Sequence, residues 1–243
     1  MVGKRGTFLR SFGYNKEGGN AMRVCFVSGH TVGECLRFSK RAGAGLYLFG
    51  FLGIGEVSYQ QELKGETEYF ENVAKLSKEE KAVVVVGCVT DAKGIKRKSA
   101  VVAENGRILG VSDMMNVIDE QVNCGAEMRI FDTGLGRMGV VVGDDLFFFD
   151  TVRALCLCGS DFIVCTCDEG MDCTAMVMAR AYAFACGVPI LFCGVRYSFW
   201  ANALGELEFA CPQSPFVYEG CIQKEYHLVS TRTRGMRKRT LEL

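Results

Sequence analysis

The chain has 243 residues, 49% of them hydrophobic and 23% charged, with 28 Lys and Arg balancing 28 Asp and Glu. That length supports one large α/β domain or two small ones, and zero formal charge argues against whole-surface attraction to nucleic acid or membrane. No run approaches about eighteen consecutive apolar residues without a charge or glycine, so no transmembrane helix is predicted.

In chain order, residues 1–21 carry Lys4, Arg5 and Arg10 but no apolar signal core. They are read as an N-terminal extension, with a single domain over 22–243. Strand-like runs follow at 23–28, 46–51, 82–89, 99–103, 107–111, 128–132, 138–142, 161–165 and 189–193, with late runs at 216–220 and 225–230. Several are continuous Val, Ile, Leu and Phe, as expected where both faces of a strand are covered. A short helix is predicted at 32–41. Another over 66–76 places Tyr69, Val73 and Leu76 on one face. Asp150 reads as the N-cap of a helix running to Cys158 and stopped by Gly159. Residues 174–186 put Met178, Tyr182 and Cys186 on one face of a helix that Gly187 ends. Asn105-Gly106 between two apolar runs is a hairpin turn. Helix and strand alternate around a strand-rich middle, which makes the chain α/β.

Two motifs mislead. Gly134-Leu135-Gly136-Arg137-Met138-Gly139 matches G-x-G-x-x-G, but a dinucleotide site needs a helix directly after the glycines and a strand run follows here. The glycines are read as a turn between strands. Thirteen cysteines invite a metal site, yet no C-x-x-C pair occurs, and His30 and His227 lie far apart. The cysteines are read as small buried hydrophobes in a reducing cytoplasm, with no metal and no cofactor expected.

The segment SAVVAENGRILG, a spacer, then MRIFDTGLGRMGVVVGDDLFFFDTVRALCLCGSDFIVC resembles the central part of the nitrilase (carbon–nitrogen hydrolase) superfamily. Members typically read N-S-A-x-x-x-x-x-G-x-x-x-G, a spacer, then V-F-D-T-x-x-G-x-x-G-V-x-x-C-x-D-x-x-F-P-E-x-x-R-x-L-x-x-x-G-A-D. Asp132, Thr133, Gly136, Gly139, Asp145, Arg153, Leu155, Gly159 and Asp161 fall in register. Extended through ETEYFENVAKLSKEE and AGAGLYLFGF on one side and MARAYAFACGVPILFCG on the other, the resemblance covers about 200 of the 243 residues. It implies a four-layer α-β-β-α sandwich.

The resemblance also implies a Glu–Lys–Cys triad: a thiolate nucleophile, a carboxylate that moves the proton and an ammonium that stabilises the tetrahedral oxyanion. Residue by residue, the glutamate falls on Phe51, the lysine on Met114 and the cysteine on Gly143. Shifting the register does not restore them. No cysteine lies between Cys124 and Cys156, no lysine between Lys98 and Lys224, and no glutamate between Glu34 and Glu56. Neither the hairpin exit nor a neighbouring strand is therefore expected to supply a lysine. Asp144, Cys165, Cys167, Asp168 and Arg196 are expected at strand ends around the same mouth.

Three readings follow. The first is a catalytically inactive pseudoenzyme that binds a small molecule or a partner, the ligand being neutral or apolar because Phe51 and Met114 line the corner. The second is an active amidase with a displaced cysteine nucleophile, and the third a structural or assembly subunit. The family resemblance implies a homodimer or higher homo-oligomer, with the basic stretch Arg232, Arg234, Arg237, Lys238 and Arg239 as an arm reaching across.

Overall fold

The computed structural model describes residues 20–37, 42–118, 121–168, 173–212 and 214–224. Its strands are β1 (Asn20–Val27), β2 (Leu46–Phe49), β3 (Glu56–Ser58), β4 (Val83–Ala92), β5 (Ile95–Glu104), β6 (Arg107–Asp113), β7 (Ile130–Thr133), β8 (Gly136–Val142), β9 (Phe162–Thr166), β10 (Ile190–Cys193), β11 (Ser198–Ala201), β12 (Leu207–Cys211) and β13 (Phe216–Ile222). Its α-helices are α1 (Val32–Arg37), α2 (Tyr59–Lys64), α3 (Tyr69–Glu80), α4 (Phe149–Leu157) and α5 (Cys173–Cys186), with one 3-10 turn over Gly143–Phe147.

The strands form two sheets. One runs β13-β1-β2-β4-β5-β6 with β3 also paired to β4; the other runs β12-β11-β10-β9-β8-β7. In the first, β1, β2 and β4 are parallel neighbours; in the second, β8, β9 and β10 are. Period-two alternation assigns the side chains to layers. On β4, Val83 and Val85 face the other sheet while Val84 and Val86 face the helices. On β9, Phe162 and Val164 meet the inter-sheet core, and Ile163 and Cys165 turn to the helical side. Val73 and Leu76 of α3 cover the first sheet. Leu155 of α4 and Ala179 and Ala183 of α5 cover the second. The layers are helix, sheet, sheet, helix, as expected. Each fully buried Val, Leu or Phe contributes roughly 1.5–3 kcal/mol, so the inter-sheet layer and the two sheet–helix layers together carry the stability.

Several expected boundaries move. The strand expected at 46–51 ends at Phe49, where the chain turns, and the one expected at 128–132 lies at Ile130–Thr133. The helix expected at 66–76 begins at Tyr69, because the Glu62 carboxylate accepts the Tyr69 and Phe70 N–H groups and so caps it from α2. Helix α2, which ends at a left-handed Gly65, was not anticipated. Asp150 sits inside the first turn of α4, whose N-cap is Phe148. Strands β11 and β12 fill a region with no predicted element. The Asn105-Gly106 turn forms with both residues at positive φ, and Gly134-Leu135 is the turn between β7 and β8, with Gly136 opening β8. The run at 225–230, the basic stretch after it and residues 38–41 of the first helix lie outside the described residues.

At one end the sheets touch through backbone. A Cβ on Gly50, just past β2, would lie 2.6 Å from the carbonyl oxygen of Gly194, just past β10. Gly50→Ala should therefore lower stability by about 2 kcal/mol, measured by urea unfolding. Gly33→Ala, whose nearest neighbour would be 4.0 Å away, should leave stability unchanged or raise it by up to about 1 kcal/mol.

Candidate functional site

The carboxyl ends of β2, β8, β9 and β10 meet at this edge. Strand β8 stops at Gly143, whose φ of +53° lies in the left-handed region, and the chain reverses into the 3-10 turn. Two residues on, the buried Asp145 carboxylate accepts the Met115 N–H at 3.0 Å, the Asn116 N–H at 2.8 Å and the Asn116 side-chain amide at 2.8 Å. Burial pushes the Asp145 carboxyl above its ordinary range, against the pull of these amide donors. The same contacts tie the segment after β6 to the end of β8.

Met114 is thereby carried under the turn. It is fully buried, its N–H donates to the Lys98 carbonyl at 2.8 Å, and its Sδ accepts the Asp144 N–H at 3.3 Å. A Cβ built on Gly143 would meet that Sδ at 2.9 Å. Phe51 is also buried in the inter-sheet core, lying over Gly87, where a Cβ would come within 2.8 Å of the ring. Where the resemblance places a carboxylate, an ammonium and a thiol, the structure holds an aromatic ring, a thioether and no side chain.

One expectation is corrected here: a neighbouring strand does supply a lysine. Lys98 lies on β5, and its Cδ would be 3.6 Å from a Cβ at Gly143. Its ammonium pairs with the Asp168 carboxylate at 2.7 Å, with 13% of the lysine side chain and 34% of the aspartate exposed. Lys98 stands one residue before Ser99-Ala100, the asparagine position of the N-S-A pattern. Alternation along β5 puts it on the face of Ala100 and Val102, which look into the inter-sheet layer. That row was readable in the sequence; matching the lysine only to the hairpin exit hid it. The corner is consequently charged as well as apolar.

Of the five expected lining residues, Asp168 pairs with Lys98, Cys167 adjoins Asp168, and the Asp144 N–H meets the Met114 Sδ. The Cys167 thiol donates to Asp168 at 3.8 Å, and burial, Asp168 and Asp144 raise its pKa while Lys98 lowers it. Cys165 is wholly buried on the helical side, with its thiol pKa raised by desolvation and then by Cys167. Arg196 is exposed in the β10–β11 turn. Nearby, burial pushes the Cys193 thiol up to about 12. Thr166, which the sequence reading passed over, ends β9 on the inter-sheet face; it is fully buried, and its hydroxyl has no hydrogen-bond partner among the described residues. No group of three or more His, Cys, Asp or Glu is placed to hold a metal ion among the described residues. Nor is any helix there long and apolar enough to cross a membrane.

Reactive thiols need thiolate character and access. Dilute iodoacetamide should modify the exposed Cys124, Cys158 and Cys173 well before Cys165, Cys167 or Cys193, as read by peptide mass spectrometry. Early labelling of Cys167 would contradict the burial and charge described here.

No protein-family model matches the chain, and no curated protein matches it. Solved structures do. A carbon-nitrogen hydrolase from Helicobacter pylori G27 superposes with a TM-score of 0.67 at 18% identity, over 84% of this chain and 90% of that one. A cysteine-to-serine mutant of the Nesterenkonia AN1 amidase, from the nitrilase superfamily, gives 0.71 at 12% identity over 91% and 96%. A double mutant of the same amidase, in complex with acrylamide, gives 0.68 at 13% identity over 87% and 94%. At such identities the likeness shows the fold, and the fold is that of the nitrilase superfamily.

Proposed function

We propose that this chain, built on the nitrilase-superfamily fold, derives from the carbon–nitrogen hydrolases and is a non-hydrolytic member that binds a small molecule at the former catalytic edge. The observation that carries the reading is the packing at Gly143. Nucleophilic catalysis of C–N cleavage requires a side chain at that turn, a base beside it and a cation over the oxyanion. Gly143 offers none, Phe51 and Met114 fill the adjoining space with apolar atoms, and the cation Lys98 is already held by Asp168.

A displaced thiol fits less well. Cys165 and Cys167 are buried, and the carboxylates beside Cys167 oppose the thiolate that attack would need. The purified protein should release no ammonia from acetamide, acrylamide or propionitrile above the rate in buffer. Turnover that Cys167→Ser abolishes would overturn the inactive reading and establish the displaced nucleophile.

The chain is proposed to be cytoplasmic, supported by thirteen cysteines with no disulfide among the described residues. It is further proposed to self-associate through α4 and α5. Phe149 and Leu157 on α4 and Val177 and Phe184 on α5 are exposed, and Arg180, the one charged residue of α5, turns its guanidinium onto the Gly205 carbonyl at 2.8 Å. Large apolar side chains exposed on neighbouring helices support a contact site there. Sedimentation velocity should give a dimer that Val177→Glu converts to a monomer; a monomeric wild type would overturn the assignment.

A further inference from the structure

The tip of the β5–β6 hairpin holds a reactive pair far from the edge at Gly143 in the chain. Asn105 and Gly106 form the two-residue turn that sets Glu104 opposite Arg107, with φ of +51° and +81°. Asn105 is exposed. An asparagine followed by glycine can react with its own backbone, because the second residue has no Cβ to block the approach. The Gly106 nitrogen attacks the Asn105 side-chain carbonyl carbon and a new C–N bond closes a cyclic imide. The side-chain amide nitrogen leaves as ammonia, taking up the proton that Gly106 gives, and water then opens the ring to aspartate or isoaspartate. The reaction needs no oxidant and no second substrate beyond water.

In the folded chain that nitrogen is engaged. Its N–H donates to the hydroxyl oxygen of Ser77, on α3, at 2.9 Å. A hydroxyl has a single hydrogen, and Ser77, wholly buried, donates it to the Ala74 carbonyl at 2.7 Å. Toward Gly106 the hydroxyl therefore acts only as an acceptor, which keeps the proton on the nitrogen and fixes the plane of the Asn105–Gly106 peptide. The Lys78 stem lies against the same turn: a Cβ on Gly106 would come within 3.2 Å of the Lys78 Cβ and Cδ. Ring closure requires the peptide plane to rotate until its nitrogen faces the side-chain carbon, and rotation breaks the bond to Ser77.

We propose that Asn105-Gly106 is a self-modification site held shut by Ser77, so that release of the hairpin tip from α3 opens it to deamidation. Local openings of this kind occur without global unfolding. The change is one-way. Isoaspartate inserts a further backbone atom into a tight turn, and either product places a negative charge next to Glu104. A molecule that has opened is thereby marked and closes less well. The proposal goes beyond the binding reading and does not depend on what the strand ends hold.

The test incubates the full chain at mildly alkaline pH and follows the Asn105 peptide by mass spectrometry, scoring isoaspartate by enzymatic methyl transfer. The wild type should convert at least tenfold faster in denaturing urea than when folded. Its Gly106 amide should exchange with deuterium at least tenfold more slowly than in the unfolded chain, a measurement that needs no variant. Ser77→Ala removes the acceptor, and Gly50→Ala disturbs the fold elsewhere; the two are compared at urea concentrations that equalise their global stability. Ser77→Ala should then deamidate severalfold faster. Equal conversion of folded and unfolded wild type, no conversion in urea, or an unprotected Gly106 amide overturns the proposal, and so do equal rates in the two variants.

Discussion

Asp145 couples the two sheets at the edge that matters. It sits in the turn after β8, in one sheet, and accepts three N–H donors from the segment that leaves β6, in the other. A buried carboxylate without such donors would be costly; with them it fixes where residues 114–116 run. Met114 is beneath Gly143 because Asp145 holds its neighbours, and Lys98 is near because Met114 donates to its carbonyl. Asn116 extends the network to Thr151 at the start of α4 at 2.8 Å. The geometry of the edge thus follows from one polar network rather than from the hydrophobic layers alone.

On the proposed reading, the chemistry of the edge has changed in kind while its frame has been kept. A hydrolase of this fold concentrates a nucleophile, a base and a cation around a reacting carbon. Here the cation comes from β5 rather than from the exit of β6, and a carboxylate already engages it. Electrostatic stabilisation of a developing oxyanion depends on a cation kept ready for it. One bound to Asp168 is committed elsewhere.

Much of the frame was legible from local rules. The Asn105-Gly106 turn, the continuous apolar runs of β4, β8, β9 and β10, and helix α5 follow from φ preferences and from burial on both faces. What was not legible depended on contacts between distant segments. The start of α3 is set by Glu62 of α2, eight residues before Phe70, and β11 and β12 are short runs whose pairing partners give them their shape. At the edge, aligned motifs located Gly143 and Met114. Lys98 and Thr166 needed the direction of each strand's alternate side chains, which motif matching along the chain does not use.

The missing side chain at Gly143 also bears on history. A backbone at φ +53° disfavours any residue with a Cβ by about 1–2 kcal/mol, and the Met114 thioether now stands where a side chain would enter. Introducing a cysteine at this turn would be disfavoured unless Met114 receded first, yet shortening Met114 by itself would open a hole in a filled core. Each step back is unfavourable alone and only their combination is productive. On the proposed reading, such packing would act as a ratchet: a turn closed over the thioether makes a return to nucleophilic chemistry harder than the exploration of new ligands.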